Sequence, residues 1–372
     1  MNDQTRILVL LTDAYGGHGG ISRFNRDFLG ALSAHENVRE ILVFPRLVRS
    51  AIEETILSNI RFVDRGVTSK MGYVKTVLAH VIGDRKFDLL VCGHINLLPL
   101  CWLLSRWIGC PLALIIHGID AWEPTGSRLV DRLAKRVDAV VAVSRLSLQR
   151  FCAWSGTNPD KGFILPNTVD LSLFTPGPQN PELLNRYGLE NKTVLMTLGR
   201  MPCSERYKGY DEIIELLPAL SERIPDVAYL LAGNGDDRPR LERKAQELGV
   251  GKQVVFAGMI PESEKVDHYR LADAYVMPSR GEGFGIVLLE AMACGIPVVA
   301  SKLDGGREAL RDGLLGELVD PLDSADILRG VLQALKKPRG VPEGLEYFSM
   351  DGFRQRVHDI VDGLLAGKAI HG

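Results

Sequence analysis

The chain has almost no net charge: 44 Lys and Arg face 46 Asp and Glu in 372 residues, a balance of −2. Polyanion binding needs a basic excess, so nucleic acid is not an expected partner. Aromatics are scarce at 7%, but hydrophobic residues reach 46%, enough apolar surface to offset ordering entropy and to exclude a long disordered arm. The six cysteines (Cys92, Cys101, Cys110, Cys152, Cys203, Cys294) contain no C-x-x-C pair, and a chain of this size needs no disulfide staples. They read as reduced thiols in a cytoplasmic protein. Long apolar runs are missing too. Residues 7–11 are shorter than the apolar region of an export signal. The 17 uncharged residues 89–105 are broken by Gly93, His94, Asn96 and Pro99, which reads as a buried strand and helix rather than a membrane span.

Several catalytic signatures are absent as well. There is no G-x-G-x-x-G, G-x-x-x-x-G-K-[ST], H-E-x-x-H or G-x-S-x-G, which removes support for dehydrogenases, P-loop enzymes, zincins and simple hydrolases. There is no D-x-D. A bound diphosphate would therefore have to be neutralised by side-chain cations, and neither a metal nor a cofactor is expected.

What is present is an alternation of short apolar runs and amphipathic stretches. Runs at 6–13, 40–44, 88–92, 112–116 and 138–143 are each followed by polar or helical sequence, as a parallel sheet with helices on both faces requires. Residues 170–182 (DLSLFTPGPQNPE) hold three prolines and a glycine with no periodicity, a linker's composition. The pattern then restarts at 193–198, 227–232, 254–257, 274–277 and 297–300. The expected fold class is α/β, with two doubly wound domains. Residues 1–170 form the first, completed by a C-terminal helix at 350–372, and 171–349 the second. The first 170 residues carry 20 Lys or Arg and 16 Asp or Glu, so that half is basic and the other acidic.

The richest segment is 278–301, PSRGEGFGIVLLEAMACGIPVVAS. It leaves a strand through a glycine loop and enters a helix, so the N–H groups of Gly283, Phe284, Gly285 and Ile286 converge where the helix dipole favours an anion. Glu282 precedes that helix and Glu290 lies inside it among apolar residues. A carboxylate there either holds something or faces solvent between two buried stripes. Arg200 and Lys208 flank a strand's C-terminal end, the usual ligand edge of α/β sheets. His117 also ends a strand. It is either a strand-end cap or a site residue, with Asp120 close by. The loop 16–20 (GGHGG) either approaches a ligand closely or simply lets a helix pack on a strand. No role is assigned to His18 within it.

The segment EGFGIVLLE (282–290) is an E-x7-E signature, and with it this sequence resembles the retaining nucleotide-sugar glycosyltransferases of family 4. Other pieces agree in order: GGI at 19–21, HG at 117–118, PNTVD at 166–170, LGR at 198–200, KG at 208–209 and LAGNG at 231–235. The resemblance implies the GT-B fold, two Rossmann-like domains facing each other across a cleft, with the acceptor on the first and the nucleotide sugar on the second. It implies that Glu290 holds the ribose hydroxyls, that Glu282 lies against the donor sugar, and that Phe284 and Gly285 present backbone N–H groups. Arg200 and Lys208 would grip the diphosphate, Gly19 and Gly20 approach it, and His117 would sit beside the reacting centre. Asp120 is a candidate for touching the acceptor or His117, and Arg23 a candidate on the acceptor side. Seven residues, MPCSERY at 201–207, separate the two cations, a longer spacer than the family's, so which cation there does the work, Arg206 included, stays open.

The expected activity is metal-independent, retaining transfer of a hexose from an NDP-sugar to a hydroxyl acceptor, by a front-face mechanism. The expected acceptor is a lipid-linked or surface-polysaccharide glycan. Arg46, Arg49, Arg61, Arg65, Lys70 and Lys75, with Trp102 and Trp107 near Arg106, raise the expectation of peripheral contact with an anionic membrane, at its inner face. A GT-B sugar-nucleotide epimerase or glycan phosphorylase remains an alternative, as does a non-catalytic module that only binds NDP-sugars. The base, sugar, linkage and oligomeric state are left open.

Overall fold

The computed structural model describes residues 4–65, 69–84 and 86–367. The chain divides into two compact units: residues 1–168 with 350–372, and residues 169–349. Residues 1–3 and the end of the expected C-terminal helix, 368–372, lie outside the described residues.

The first unit is built on a seven-stranded sheet of β1 (Thr5–Leu11), β2 (Val38–Pro45), β3 (Ile60–Phe62), β4 (Leu89–Cys92), β5 (Leu112–Ile116), β6 (Ala139–Ala142) and β7 (Gly162–Ile164). Its order is β3-β2-β1-β4-β5-β6-β7, parallel throughout. The second unit holds β8 (Thr193–Leu198), β9 (Val227–Ala232), β10 (Val254–Gly258), β11 (Ala274–Met277), β12 (Val298–Ser301) and β13 (Glu317–Val319). Its order is β10-β9-β8-β11-β12-β13, again all parallel.

Helices cover both faces of such sheets, so the middle strands read as unbroken apolar runs. All of β5, β6, β9, β11 and β12 is buried. Three edge strands, β3, β7 and β13, have no counterpart among the expected runs. Each is three residues long and only partly buried, too short for period or apolarity to register.

The direction of winding reverses between β1 and β4 and again between β8 and β11. Loops leaving those neighbouring strands at their carboxyl ends diverge to opposite faces and leave a crevice, where α/β sheets bind ligands. The loops after β8 and β11 carry Arg200, Lys208 and Glu282, and those after β1 and β5 carry the glycine cluster and His117. Residues far apart in sequence are adjacent because of this strand order.

The helix Met350–Leu365 belongs to the first unit and lies on the helix Gly20–Ser33. Phe353, fully buried, meets Phe24 edge-on with centroids 5.8 Å apart. His358 Nε2 donates to the carbonyl of Ala31 at 2.9 Å, and His35 Nε2 donates to Asp362 at 3.1 Å. All six cysteines are free thiols.

Phe353→Ala therefore leaves a cavity under the returning helix and should cost about 3–5 kcal/mol. Urea denaturation followed with a reporter in each unit is expected to show the first unit melting earlier and the second unchanged. An unaltered midpoint for the first unit would mean the helix is not part of its cooperative core.

Candidate functional site

In the second unit the turn after β8 is fixed by backbone. Gly199 N–H donates to Ala232 O (2.9 Å) and Met201 N–H to Asn234 O (3.0 Å). A Cβ on Gly233 would stand 1.9 Å from the carbonyl oxygen of Gly199, so only glycine lets the loops after β8 and β9 touch. Residues 203–208 form a 3-10 turn that ends at Gly209, in the left-handed region. That geometry aims Lys208 inward: its side chain is 15% exposed and Nζ lies 3.2 Å from Glu282 Oε2. Burial pulls the lysine pKa down, but the facing Glu282 carboxylate, supported by Glu205, outweighs it, so the ammonium stays charged. Arg200 points outward, 74% exposed, and binds Glu205 Oε1 at 2.6 Å. Arg206 leans away toward Asp237, at 3.5 Å.

Glu282 is held from behind by a residue absent from the sequence-based candidates. Asp304, 2% exposed, accepts from Ser279 Oγ (2.5 Å) and Glu282 N–H (2.9 Å) through Oδ2, and from Gly306 N–H (3.0 Å) through Oδ1. Burial pushes its pKa up to about 7 against the pull of those donors. An aspartate ahead of two glycines after a buried strand was the available signal. The helix Ile286–Ala293 follows, with Gly285 at its N-cap and no side-chain cap. Among the described residues the N–H groups of Gly283, Phe284 and Gly285 donate to nothing. The Phe284 side chain is core, packed on Phe348 at 5.5 Å, so this residue offers only its backbone.

Glu290 does not face solvent. It is 2% exposed, with Lys265 Nζ 2.8 Å from Oε1 and Tyr269 OH 2.7 Å from Oε2. Spacing within its own helix gave no view of these partners, which come from the helix Lys265–Leu271.

In the first unit His117 leaves β5 with its ring edge-on to Phe24 at 5.1 Å. Its Nε2 lies 3.3 Å from Gly93 O. A carbonyl only accepts, so Nε2 carries the proton and Nδ1 remains an acceptor. Burial, then His94, lowers its pKa to about 4. Asp120 Oδ1 accepts from His117 N–H at 3.1 Å, while Oδ2 is buried without a partner, and burial raises that carboxyl to about 7. Arg23 pairs along its helix with Asp27 at 3.1 Å. Gly19 caps that helix, and Gly20 opens it. His18 is exposed.

Two family models match in tandem. Residues 18–173 match Glycosyltransferase Family 4, and residues 180–349 match Glycosyl transferases group 1. Over 350 residues, 90% of either chain, the sequence is 32% identical to a GDP-mannose-dependent alpha-(1-6)-phosphatidylinositol monomannoside mannosyltransferase of Mycolicibacterium smegmatis. The chain belongs to glycosyltransferase family 4. Another relative, D-inositol 3-phosphate glycosyltransferase 1 of Catenulispora acidiphila, is 35% identical over 73% of this chain and 70% of that protein. Among solved structures, Anabaena Alr3699/HepE in complex with UDP and glucose superposes with a TM-score of 0.74 at 21% identity, over 96% of this chain and 100% of that one. Sucrose-phosphate synthase from Thermosynechococcus elongatus gives 0.74 at 20%, over 98% and 100%. These likenesses are of fold, two Rossmann-like GT-B units.

In this glycosyltransferase the structure brings Arg200, Lys208, Glu282 and the N–H groups at 283–285 into one loop cluster. Glu290 stands in a separate pocket of charge with Lys265 and Tyr269. Lys265→Met should strand the Glu290 carboxylate and cost about 3–5 kcal/mol in denaturant unfolding. Adding Glu290→Gln should recover a large part, and strict additivity would deny the coupling. His117 should stay neutral well below the usual histidine range. Because its folded pKa is depressed, its contribution to stability is complete above about pH 6.5 and is lost as pH falls toward 4. Imidazole nitrogen shifts followed by NMR test this, and a midpoint near 6.5 would contradict it.

Proposed function

We propose that this family 4 enzyme is a retaining hexosyltransferase that takes a hexose from a nucleoside diphosphate sugar and delivers it to a hydroxyl of a glycan or lipid-linked acceptor, without a metal ion. The observation that carries this reading is the desolvated Lys208–Glu282 pair, 3.2 Å apart, in the same loops as Arg200 and the undonated N–H groups at 283–285. Cations and backbone donors set in place before reaction stabilise charge that develops on a leaving diphosphate. In the front-face step the bond from the anomeric carbon to the diphosphate oxygen breaks. The acceptor oxygen bonds that carbon on the same face, and its proton passes to the departing diphosphate. The protein contributes position and field rather than a nucleophile.

In this reading Arg200 and Lys208 hold the diphosphate, Glu282 the donor sugar's hydroxyls, and Glu290 the ribose, its orientation fixed by Lys265 and Tyr269. Phe284 and Gly285, with Gly283 and Ile286 beside them, offer N–H groups to sugar and phosphate. Asp304 fixes the Glu282 loop. The first unit is assigned the acceptor, with Asp120's unpartnered oxygen and Arg23 toward it. The named substrates of the mycobacterial and inositol-phosphate relatives support a glycolipid or inositol-type acceptor and make GDP-mannose the first donor to test.

The reading puts the enzyme in the cytoplasm, at the membrane's inner face. Among the described residues no helix is long and apolar enough to cross a membrane. Met71 and Ile82 on the helix Lys70–Gly83, and Leu103 and Trp107 on the helix Leu98–Ile108, are exposed, with Lys70 and Lys75 exposed on the first of these helices. Trp102 contributes less than its sequence position suggests, since it packs against the core. Arg46 stands over the Tyr73 ring at 5.9 Å, and Arg49, though exposed, pairs with Asp13 at 3.4 Å; Arg61, Arg65, Lys70 and Lys75 are exposed as well.

A thermal-shift screen of UDP, GDP and their sugars should find one nucleotide that stabilises, by about 2.7 kcal/mol at 100 times its Kd. Glu290→Ala should weaken binding of that free nucleotide, whereas Glu282→Ala should spare it and damage turnover. Equal effects would overturn the division of roles. Lys208→Met should lower kcat about 10²–10³-fold, and wild-type activity should survive EDTA. Donor consumption without added acceptor would favour an epimerase, and binding with no turnover a sensing module. Anionic vesicles should pellet the protein at low salt and release it as salt rises, each facing cation being worth about 1 kcal/mol. Indifference to vesicle charge would end the membrane part.

A further inference from the structure

The seven residues between Arg200 and Lys208 put a carboxylate beside both cations. The segment is tied down on either side of Glu205. Cys203 N–H donates to Asp236 at 2.7 Å, and Tyr207 O accepts from Arg280 N–H at 2.8 Å. The 3-10 turn breaks at Glu205 itself, φ −115° and ψ 37°, and the side chain turns in to 16% exposure. Oε1 takes the Arg200 guanidinium at 2.6 Å; Oε2 lies 3.7 Å from Lys208 Nζ and has no hydrogen-bond partner although buried. A carboxylate oxygen left unbonded out of water is costly. Lys208 already has Glu282 at 3.2 Å, so Glu205 is the second carboxylate beside two cations, and its one bonded oxygen serves the exposed Arg200. The arrangement suits two cations built for an anion with more oxygens than one carboxylate supplies, such as a diphosphate with its higher charge and bidentate geometry.

We propose that Glu205 is an internal counter-anion that occupies the Arg200–Lys208 seat when no donor is bound and is displaced by the diphosphate, so that donor and product affinity are set by the difference between the two anions. The proposal rests on the reading above that these cations hold the diphosphate. A positioning role, in which Glu205 orients the cations for the donor, predicts the opposite sign.

The test is calorimetric titration of GDP, UDP and inorganic pyrophosphate into wild type, Glu205→Gln and Glu205→Asp, with melting temperatures as the folding control. Displacement predicts that Glu205→Gln binds the preferred nucleotide and pyrophosphate about tenfold tighter, the worth of one charge-assisted bond no longer given up. Glu205→Asp, whose shorter side chain reaches less far, should fall between. The donor KM should drop with kcat unchanged or lowered by slower product release. Unchanged or weaker binding in a folded Glu205→Gln protein would overturn the proposal in favour of a positioning role. Lys208→Met separates the two layers: if it leaves nucleotide affinity unaltered, the reading of the cations itself has failed. If it weakens binding while Glu205→Gln does not strengthen it, only the counter-anion has.

Discussion

An ammonium group taken out of water has to be answered by carboxylates, and much of the second unit's ligand edge is arranged around that requirement at Lys208. Its side chain is 15% exposed with Glu282 at 3.2 Å and Glu205 at 3.7 Å. Neither carboxylate would be in place without its own support. Glu282 depends on Asp304, which grips the backbone of its loop, and Asp304 depends on the turn at 305–306, where a Cβ on Gly305 would stand 2.0 Å from Gly283 O. Glu205 depends on the 3-10 turn anchored at Cys203 and Tyr207. A chain of satisfied polar groups thus runs from Gly305 and Gly306 through Asp304 and Glu282 to one cation, whereas on the other side Glu205 Oε2 is left without a hydrogen-bond partner.

The same constraint appears around Glu290, with a different outcome. That helix is apolar on nearly all sides, and six of its eight residues are buried. A carboxylate in it is tolerable because Lys265 and Tyr269 come in from a neighbouring helix. The two glutamates of the signature therefore have separate electrostatic surroundings.

In the first unit charge gathers around the glycine loop, where Arg49 pairs with Asp13 and Arg26 with Glu54. His117 is kept neutral by burial and by His94, and Asp120 has one oxygen spent on the turn and one unspent. Its carboxyl is raised to about 7, so near neutral pH that unspent oxygen can donate as well as accept.

Chain order and apolar runs were enough to determine the two doubly wound units, because strands buried on both faces must be continuous in hydrophobicity: β5, β8, β9 and β11 read directly from residues 112–116, 193–198, 227–232 and 274–277. The segment EGFGIVLLE, with KG and LGR upstream, named Glu282, Glu290, Lys208 and Arg200, and the fold sets Lys208 against Glu282 while Glu290 lies apart with Lys265. The short edge strands β3, β7 and β13 were silent, since three residues carry no period. Residues whose meaning is a partner distant in sequence were silent too. Lys265 answers Glu290 from 25 positions away, and Asp304 holds Glu282 across 22. Glu205 lay in plain view within the unusual spacer, but its sign, toward the cations or toward solvent, depended on a turn whose anchors lie on other loops. Spacing reports neighbours on one element. Which charges meet across elements is decided by sheet order and burial, which only the folded chain supplies.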